Sequence, residues 1–378
     1  MDIQEDAPQE EKGMIILHIA SINFDPFSGV CVVMPQYLLE QEKLGHQVAL
    51  YNSKDSKTDA PVFQIPHADS FDIDKMPEPF NKPDLVVFQE CYRKEHLGIG
   101  KQLEKKGIPY IIIPHGELRK EAQKEKALKK AAANLLLFNR FTDRAMALQC
   151  LSKEEYDATD FGRKKFIATN GVSMPQKKKT SFSEKGLKLL YIGRLDAHVK
   201  GLDILLEATR KCLEILKNNN VTLDIYGPDY AGRYAHMESL IESFGVGEVV
   251  TLHHEIVGED KEKKLLESDV FVQTSRHEGM PGGILEALSY GLPCLVSRGT
   301  NLGEKIRDND CGWMAENDAD SIAECIRRVI EERDTFGTKS VNASAFVADN
   351  YSWNVIMKET IASYQKLLEE NSASGLQK

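Results

Sequence analysis

The segment His277-Glu278-Gly279-Met280-Pro281-Gly282-Gly283-Ile284-Leu285-Glu286-Ala287-Leu288 holds two carboxylates with a Gly/Pro-rich stretch between them. Proline resists a helix interior and glycine weakens one, so a single continuous helix across the segment is disfavoured. The pattern predicts a loop that carries Glu278 and feeds a helix starting near Gly283, with Glu286 in its first turn. Free backbone N–H groups at that helix start, aided by the helix dipole, can meet an anion. Carboxylates accept hydrogen bonds from hydroxyls. Hydroxyl acceptors flanking bare amides suit a sugar nucleotide. The competing reading is an ordinary capped helix after a turn.

Three further segments carry side chains suited to the same ligand. Arg194 and Lys200, in Gly193-Arg194-Leu195-Asp196-Ala197-His198-Val199-Lys200-Gly201-Leu202-Asp203, follow an apolar run and can neutralise a diphosphate. Gly29, in Asp25-Pro26-Phe27-Ser28-Gly29-Val30, lets backbone approach a ligand at a helix start. His115, in Ile113-Pro114-His115-Gly116-Glu117, ends another apolar run. Each has a structural alternative: solvated loop charges, a turn glycine, a packed histidine.

The elements that must position these residues are legible from periodicity. Apolar runs at 14–20, 47–51, 84–88, 110–113 and 145–151 read as strands, with helices from the loop 21–29 to about 44, at 95–106 and at 118–141. After the polar stretch 173–186 the alternation restarts. Strands are predicted at 187–192, 222–226, 249–253, 270–274 and 293–297, and helices at 203–217, 234–244, 261–268, 284–290, 319–333 and 353–370. Strand–helix alternation of this length means parallel, doubly wound sheets. The expected organisation is a flexible tail (1–13), a first Rossmann-like domain (14–172), a linker (173–186), a second such domain (187–350), and a C-terminal helix (351–378) that crosses back to the first domain. Two domains facing a central cleft give an α/β architecture with the site in that cleft.

Composition sets bounds. At 378 residues, 42% hydrophobic and 28% charged, the chain has the makeup of a globular protein with large cores. A net charge of -10 argues against a general nucleic-acid binder. No run approaches the roughly 20 apolar residues of a membrane span, and the acidic start does not read as a signal peptide. The seven cysteines are an odd count without a CxxC pair, which points to buried free thiols in a reducing cytoplasm.

The second half of the chain resembles the retaining glycosyltransferases of family 4, the bacterial polysaccharide type, which have the GT-B fold. The matching residues are Gly193-Arg194-Leu195 with Lys200-Gly201-Leu202-Asp203, Tyr226-Gly227-Pro228, Glu278-Gly279-Met280-Pro281, Leu285-Glu286-Ala287-Leu288 and Ser289-Tyr290-Gly291-Leu292-Pro293. Asn170-Gly171-Val172 looks like the family's domain junction, and Ser352-Trp353 like the start of its final helix. The resemblance implies that Arg194 and Lys200 hold the donor diphosphate and that Glu286 accepts from ribose hydroxyls. It implies that Glu278 binds the donor sugar beside the backbone of Gly279, Met280 and Gly282. Gly29 would approach the phosphate from the first domain, and His115 would meet the transferred sugar. Tyr226, Gly227, His254 and Glu255 are candidates for the nucleotide base. The chain has Gly282 where the family often has Asn, and Ser28-Gly29 where it has a Gly-Gly pair.

The implied activity is transfer of a hexose or N-acetylhexosamine from a nucleotide-diphosphate sugar, UDP favoured, to a saccharide or glycolipid acceptor in surface polysaccharide synthesis. The sugar nucleotide is a co-substrate and no cofactor is required. Alternatives are a GT-B epimerase or phosphorylase, or a non-catalytic sugar-nucleotide binder. The intact Glu278, Glu286, Arg194 and Lys200 speak against the last. No GxGxxG follows either first strand, so a nicotinamide enzyme is disfavoured. Asp72-Ile73-Asp74 and Asp318-Ala319-Asp320 spell a diphosphate–Mg²⁺ pattern, but the cations Arg194 and Lys200 make a metal dispensable. His253-His254-Glu255 lacks further ligands at zinc spacing. The basic helix 118–140 carries seven Lys/Arg and offers either a solvated face or a membrane-surface patch for a lipid-linked acceptor. The expected location is the cytoplasm, with peripheral attachment to the inner membrane face as an option.

Overall fold

The computed structural model describes residues 13–24, 29–59, 61–120, 123, 133–230 and 232–375. Two compact units divide the chain: residues 1–170 with 356–378, and residues 171–355.

The first unit is built on a seven-stranded parallel sheet in the order β3-β2-β1-β4-β5-β6-β7. Its strands are β1 (Ile15–Ala20), β2 (Gln47–Asn52), β3 (Gln64–Ile65), β4 (Leu85–Gln89), β5 (Tyr110–Ile113), β6 (Ala147–Cys150) and β7 (Lys165–Ile167). Runs such as Leu85-Val86-Val87-Phe88 are buried throughout, as a sheet covered on both faces requires. The order reverses between β1 and β4, so the loops after those two strands open a crevice, where ligands bind in such sheets. The helix Gly29–Lys43 follows β1, and Lys94–Lys106 follows β4.

The helix expected over 118–141 is not one regular element. Residues 121–122 and 124–132, with Lys124, Lys126, Lys129 and Lys130 among them, lie outside the described residues. Beyond them the chain makes a π turn at Asn134–Phe138 before the helix Asn139–Arg144. Asp25 to Ser28 are also outside the described residues. The chain re-enters this unit at Ile356, within the helix Trp353–Gly375. The hydroxyl of Tyr364 on that helix donates to Gln149 Oε1 at 2.7 Å and lies 2.9 Å from the Tyr37 hydroxyl.

The second unit holds a six-stranded parallel sheet, β10-β9-β8-β11-β12-β13. Its strands are β8 (Leu187–Ile192), β9 (Val221–Tyr226), β10 (Val250–His253), β11 (Val270–Gln273), β12 (Cys294–Ser297) and β13 (Gly312–Ala315). The order reverses between β8 and β11. The predicted helix 203–217 is two, Leu202–Lys211 and Leu213–Asn218. They are separated at Cys212, whose Sγ donates back to Ala208 O at 2.9 Å. The stretch 173–186 has no helix or strand. It is packed within this unit: Lys179 is buried, with Nζ 3.0 Å from Leu266 O and 3.8 Å from Asp269. Among the described residues, β3, β7, β13 and the helices Lys153–Ala158, Gly303–Asp308 and Phe336–Asn350 had no sequence expectation. All seven cysteines are free and buried.

Candidate active site

In the second unit the site residues follow the two strands that flank the order reversal. The loop after β8 carries Arg194 and Lys200, and the loop after β11 carries Glu278. The loops are stitched together by short bonds. Arg276 donates to both carboxylate oxygens of Asp203, at 2.6 and 2.9 Å, and to His198 O at 2.6 Å. Thr274 Oγ1 donates to Gly201 O at 2.8 Å. Gly201 has φ 63, and a Cβ there would stand 2.0 Å from Thr274 O, so only glycine fits the approach.

This stitching sets Lys200 Nζ 2.5 Å from Glu278 Oε1, with both side chains largely buried. The same oxygen accepts from Gln273 Nε2 at 2.7 Å and from Ser275 Oγ at 2.6 Å. Three donors on one oxygen fix the carboxylate in place. Asn301 donates to Glu278 O, and Glu278 N donates to Gly299 O at 3.0 Å. Of these partners, only Lys200 was marked as a site residue by the sequence. Gln273 and Ser275 sit in a strand-end pattern that reads as core.

The helix after this loop begins at Gly282, one residue before the expected start. Glu286 therefore lies in its second turn, not its first. Pro281 occupies the N-cap and offers no side-chain cap, so the first amides of the helix have no capping side chain. Gly282 is exposed, and a Cβ there meets no atom within 4 Å. Glu286 Oε2 is 2.5 Å from Lys261 Nζ, a partner the sequence reading did not mark. Arg194 is exposed, and its backbone oxygen accepts from the Tyr191 hydroxyl at 2.8 Å. Gly279 and Met280 are half-buried between Glu278 and the helix.

The base candidates separate by exposure. Tyr226 is buried, its ring stacked on His253 at 4.3 Å, and Gly227 is buried beside it. His254 and Glu255 are exposed, with the His254 ring stacked on Tyr234 at 4.3 Å.

Gly29 and His115 belong to the first unit. Gly29 opens the helix Gly29–Lys43 after β1. His115 follows β5 in a left-handed conformation, φ 49, which is costly for a residue with a side chain. The turn is pinned by buried Glu155, which accepts from Gly116 N at 2.5 Å and Leu151 N at 2.7 Å. His115 Nε2 lies 2.8 Å from Gln89 Oε1, Gln89 Nε2 lies 3.1 Å from His18 Nδ1, and His18 Nε2 lies 2.8 Å from Gln41 Oε1. An amide oxygen only accepts and an amide nitrogen only donates. With the amides oriented this way, each histidine carries its proton on Nε2. His115 Nδ1 is then an acceptor. Burial, with the Arg93 guanidinium as a second cause, lowers the His115 pKa to about 4, and burial lowers that of His18 to about 4. Both rings are neutral at pH 7, so His115 offers Nδ1 to a ligand as an acceptor. Gln89, His18 and Gln41 were invisible as site residues because they stand inside apolar strand and helix patterns.

Among the described residues no group of three or more His, Cys, Asp and Glu is placed to hold a metal ion, and no helix is long and apolar enough to cross a membrane.

Residues 173–342, under half of the chain, match the family model Glycosyl transferases group 1. An uncharacterised glycosyltransferase of Methanocaldococcus jannaschii is 33% identical over 187 residues, 48% of this chain and 45% of the relative. The Escherichia coli O-antigen biosynthesis glycosyltransferase WbnH is 28% identical over 187 residues, 49% of this chain and 50% of that protein. The chain thus matches about half the length of these curated relatives. Among solved structures, Anabaena HepE in complex with UDP and glucose superimposes with a TM-score of 0.70 at 16% identity, covering 93% of this chain and 100% of that one. The fold class is accordingly GT-B, with two Rossmann-like α/β units.

Proposed function

We propose that the protein is a retaining glycosyltransferase of the family 4 kind. It moves a hexose or N-acetylhexosamine from a nucleotide-diphosphate sugar, UDP favoured, to a saccharide or lipid-linked saccharide in surface polysaccharide synthesis. The observation that carries this reading is the fixed Lys200–Glu278 pair at the mouth of a helix whose N-terminus has no side-chain cap. Both lie in the segment that matches Glycosyl transferases group 1. The O-antigen relative supports the polysaccharide role, and the UDP-bound neighbour supports the choice of base.

The chemistry follows from charge. Breaking the bond between anomeric carbon and phosphate leaves an oxocarbenium-like sugar and a diphosphate with added negative charge. Lys200, Arg194 and the positive end of the helix Gly282–Ser289 stabilise that charge as it develops. Removing one such donor costs on the order of 3 kcal/mol of barrier, about a hundredfold in rate. Glu278 orients the donor sugar through its hydroxyls, Glu286 exchanges Lys261 for ribose hydroxyls, and neutral His115 accepts from the transferred sugar. His254 and Glu255 face the base. No metal enters the reaction. The buried free thiols are consistent with work in the cytoplasm.

The test is turnover. Protein incubated with UDP-glucose, UDP-galactose or UDP-N-acetylglucosamine and a lipid-diphosphate saccharide in EDTA should release UDP and give a product whose anomeric proton coupling matches the donor. Product of inverted configuration would overturn the retaining mechanism. No UDP release from any donor would overturn the activity.

A further inference from the structure

The Glu278 carboxylate is held by one of its two oxygens. Lys200 Nζ, Gln273 Nε2 and Ser275 Oγ all converge on Oε1, at 2.5, 2.7 and 2.6 Å, and none of the three donates to Oε2. Gln273 ends β11 and is 5% exposed, and Ser275, two residues on, is fully buried. These two donors are also bonded to each other, Gln273 Nε2 to Ser275 Oγ at 3.2 Å. The far side of the same amide faces the helix start: a Cβ on Gly283 would stand 3.6 Å from Gln273 Oε1. One buried side chain thus stands between the Glu278 carboxylate and the helix Gly282–Ser289.

The count of hydrogens makes this a closed triangle. An amide nitrogen carries two and a hydroxyl one. Gln273 Nε2 gives one hydrogen to Glu278 and one to Ser275, and Ser275 gives its own to Glu278. Lys200 alone would not set the direction of the carboxylate. The terminal torsion of a glutamate is broad, and an ammonium on a flexible four-carbon stem can follow it. Two buried donors at a strand end cannot. Lys200 therefore supplies the charge, while Gln273 and Ser275 supply the direction. With three donors around Oε1, Oε2 is the oxygen left to accept from a ligand hydroxyl.

We propose that Gln273 and Ser275 are positioning residues for the donor sugar. They act through Glu278: by holding Oε1 they turn Oε2 toward a sugar hydroxyl. That Glu278 meets the donor sugar rests on the function proposed above. In that reading Arg194, the positive end of the helix Gly282–Ser289 and Glu286 meet the nucleotide half of the ligand. The influence of Gln273 and Ser275 is therefore confined to the sugar half. Loss of either donor weakens binding of the sugar nucleotide and spares binding of the free nucleotide.

The test is calorimetric titration of UDP, GDP and ADP, each beside its hexose esters, into the full chain. Gln273→Met keeps the length of the side chain and removes its donors. Ser275→Ala probes the same role should that variant fail to fold. Glu278→Ala and the double variant Gln273→Met/Glu278→Ala complete the set. Against the sugar nucleotide that wild type binds best, Gln273→Met and Ser275→Ala should each lose at least about fivefold in affinity. Both should stay within about twofold of wild type for the free nucleotide. Added to Glu278→Ala, Gln273→Met should cost less than about twofold more, as a residue acting through Glu278 must. Equal losses for nucleotide and sugar nucleotide give the amide a structural role only and overturn the proposal. Unchanged binding of the sugar nucleotide overturns it too, as does a loss that persists in full beside Glu278→Ala. Folded wild type that binds none of these ligands overturns the function proposed above and this role with it, whereas the other failures remove this role alone.

Discussion

Gly201→Ala tests how Lys200 is delivered to Glu278. The new methyl group would stand 2.0 Å from Thr274 O, a backbone atom that cannot rotate away, and the residue has φ 63. Forcing alanine into that conformation costs about 1–2 kcal/mol. Relieving the overlap by backbone movement costs about 1–3 kcal/mol more. The sum is near 3 kcal/mol, or a drop of about 6–12 °C in melting temperature for a unit of this size. Gly282→Ala is the control, because a Cβ there meets nothing within 4 Å and its φ is not positive. It should shift melting by no more than about 2 °C. Differential scanning calorimetry of the two variants beside wild type gives the answer. If the two alanines shift melting equally, Gly201 does not stitch the loops and the placement of Lys200 needs another cause.

Stability should fall with acid because of buried histidines. His18 and His96 are fully buried, with pKa lowered to about 4 and about 3 by burial. Above pH 6.5 both chain states hold them neutral, so they contribute nothing. Below it the unfolded state takes up protons that the folded state refuses, and the loss grows until the folded pKa values are reached. At pH 5 this amounts to about 2 kcal/mol per histidine, measurable as a difference between urea midpoints at pH 7 and pH 5. His18→Gln should remove part of that difference, and an unchanged difference would exclude His18 as a source. Gln89→Leu strips partners from both His18 and His115 and should cost about 2–4 kcal/mol in urea unfolding. A loss under 1 kcal/mol would show that the chain of bonds is dispensable. Tyr364→Phe removes a buried hydroxyl shared with Tyr37 and Gln149 and should cost about 1–2 kcal/mol by the same measurement. No loss would mean that the C-terminal helix is held by apolar packing alone.

All strands but β3, β7 and β13 were readable because a parallel sheet covered on both faces spells itself as unbroken apolar runs, such as Tyr110–Ile113 and Leu187–Ile192. What escaped was short or locally ambiguous. β13 is only four residues, Gly-Trp-Met-Ala, and its first φ is 157. The helix Phe336–Asn350 buries Lys339, Ser340 and Ser344, which blurs its apolar face. At the site, charged and glycine residues on strand-end loops announced themselves: Arg194, Lys200, Glu278, Glu286. Their supports did not. Gln273, Ser275, Arg276 and Asp203 act through distances that no spacing rule encodes. Lys261 reaches Glu286 from a helix 25 positions earlier. Gln89 and His18 form a polar line through an apolar sheet, which only the register between β1 and β4 brings together.

Nucleotide binding in the presence of EDTA tests the central claim most directly. Calorimetric titration of UDP, GDP and ADP sugars into wild type, Lys200→Ala and Glu286→Ala should show selective, metal-independent binding of UDP sugars to wild type. Each variant should bind at least about tenfold more weakly while remaining folded. Absence of binding by the folded wild type, or equal binding by both variants, would contradict the assignment of this site.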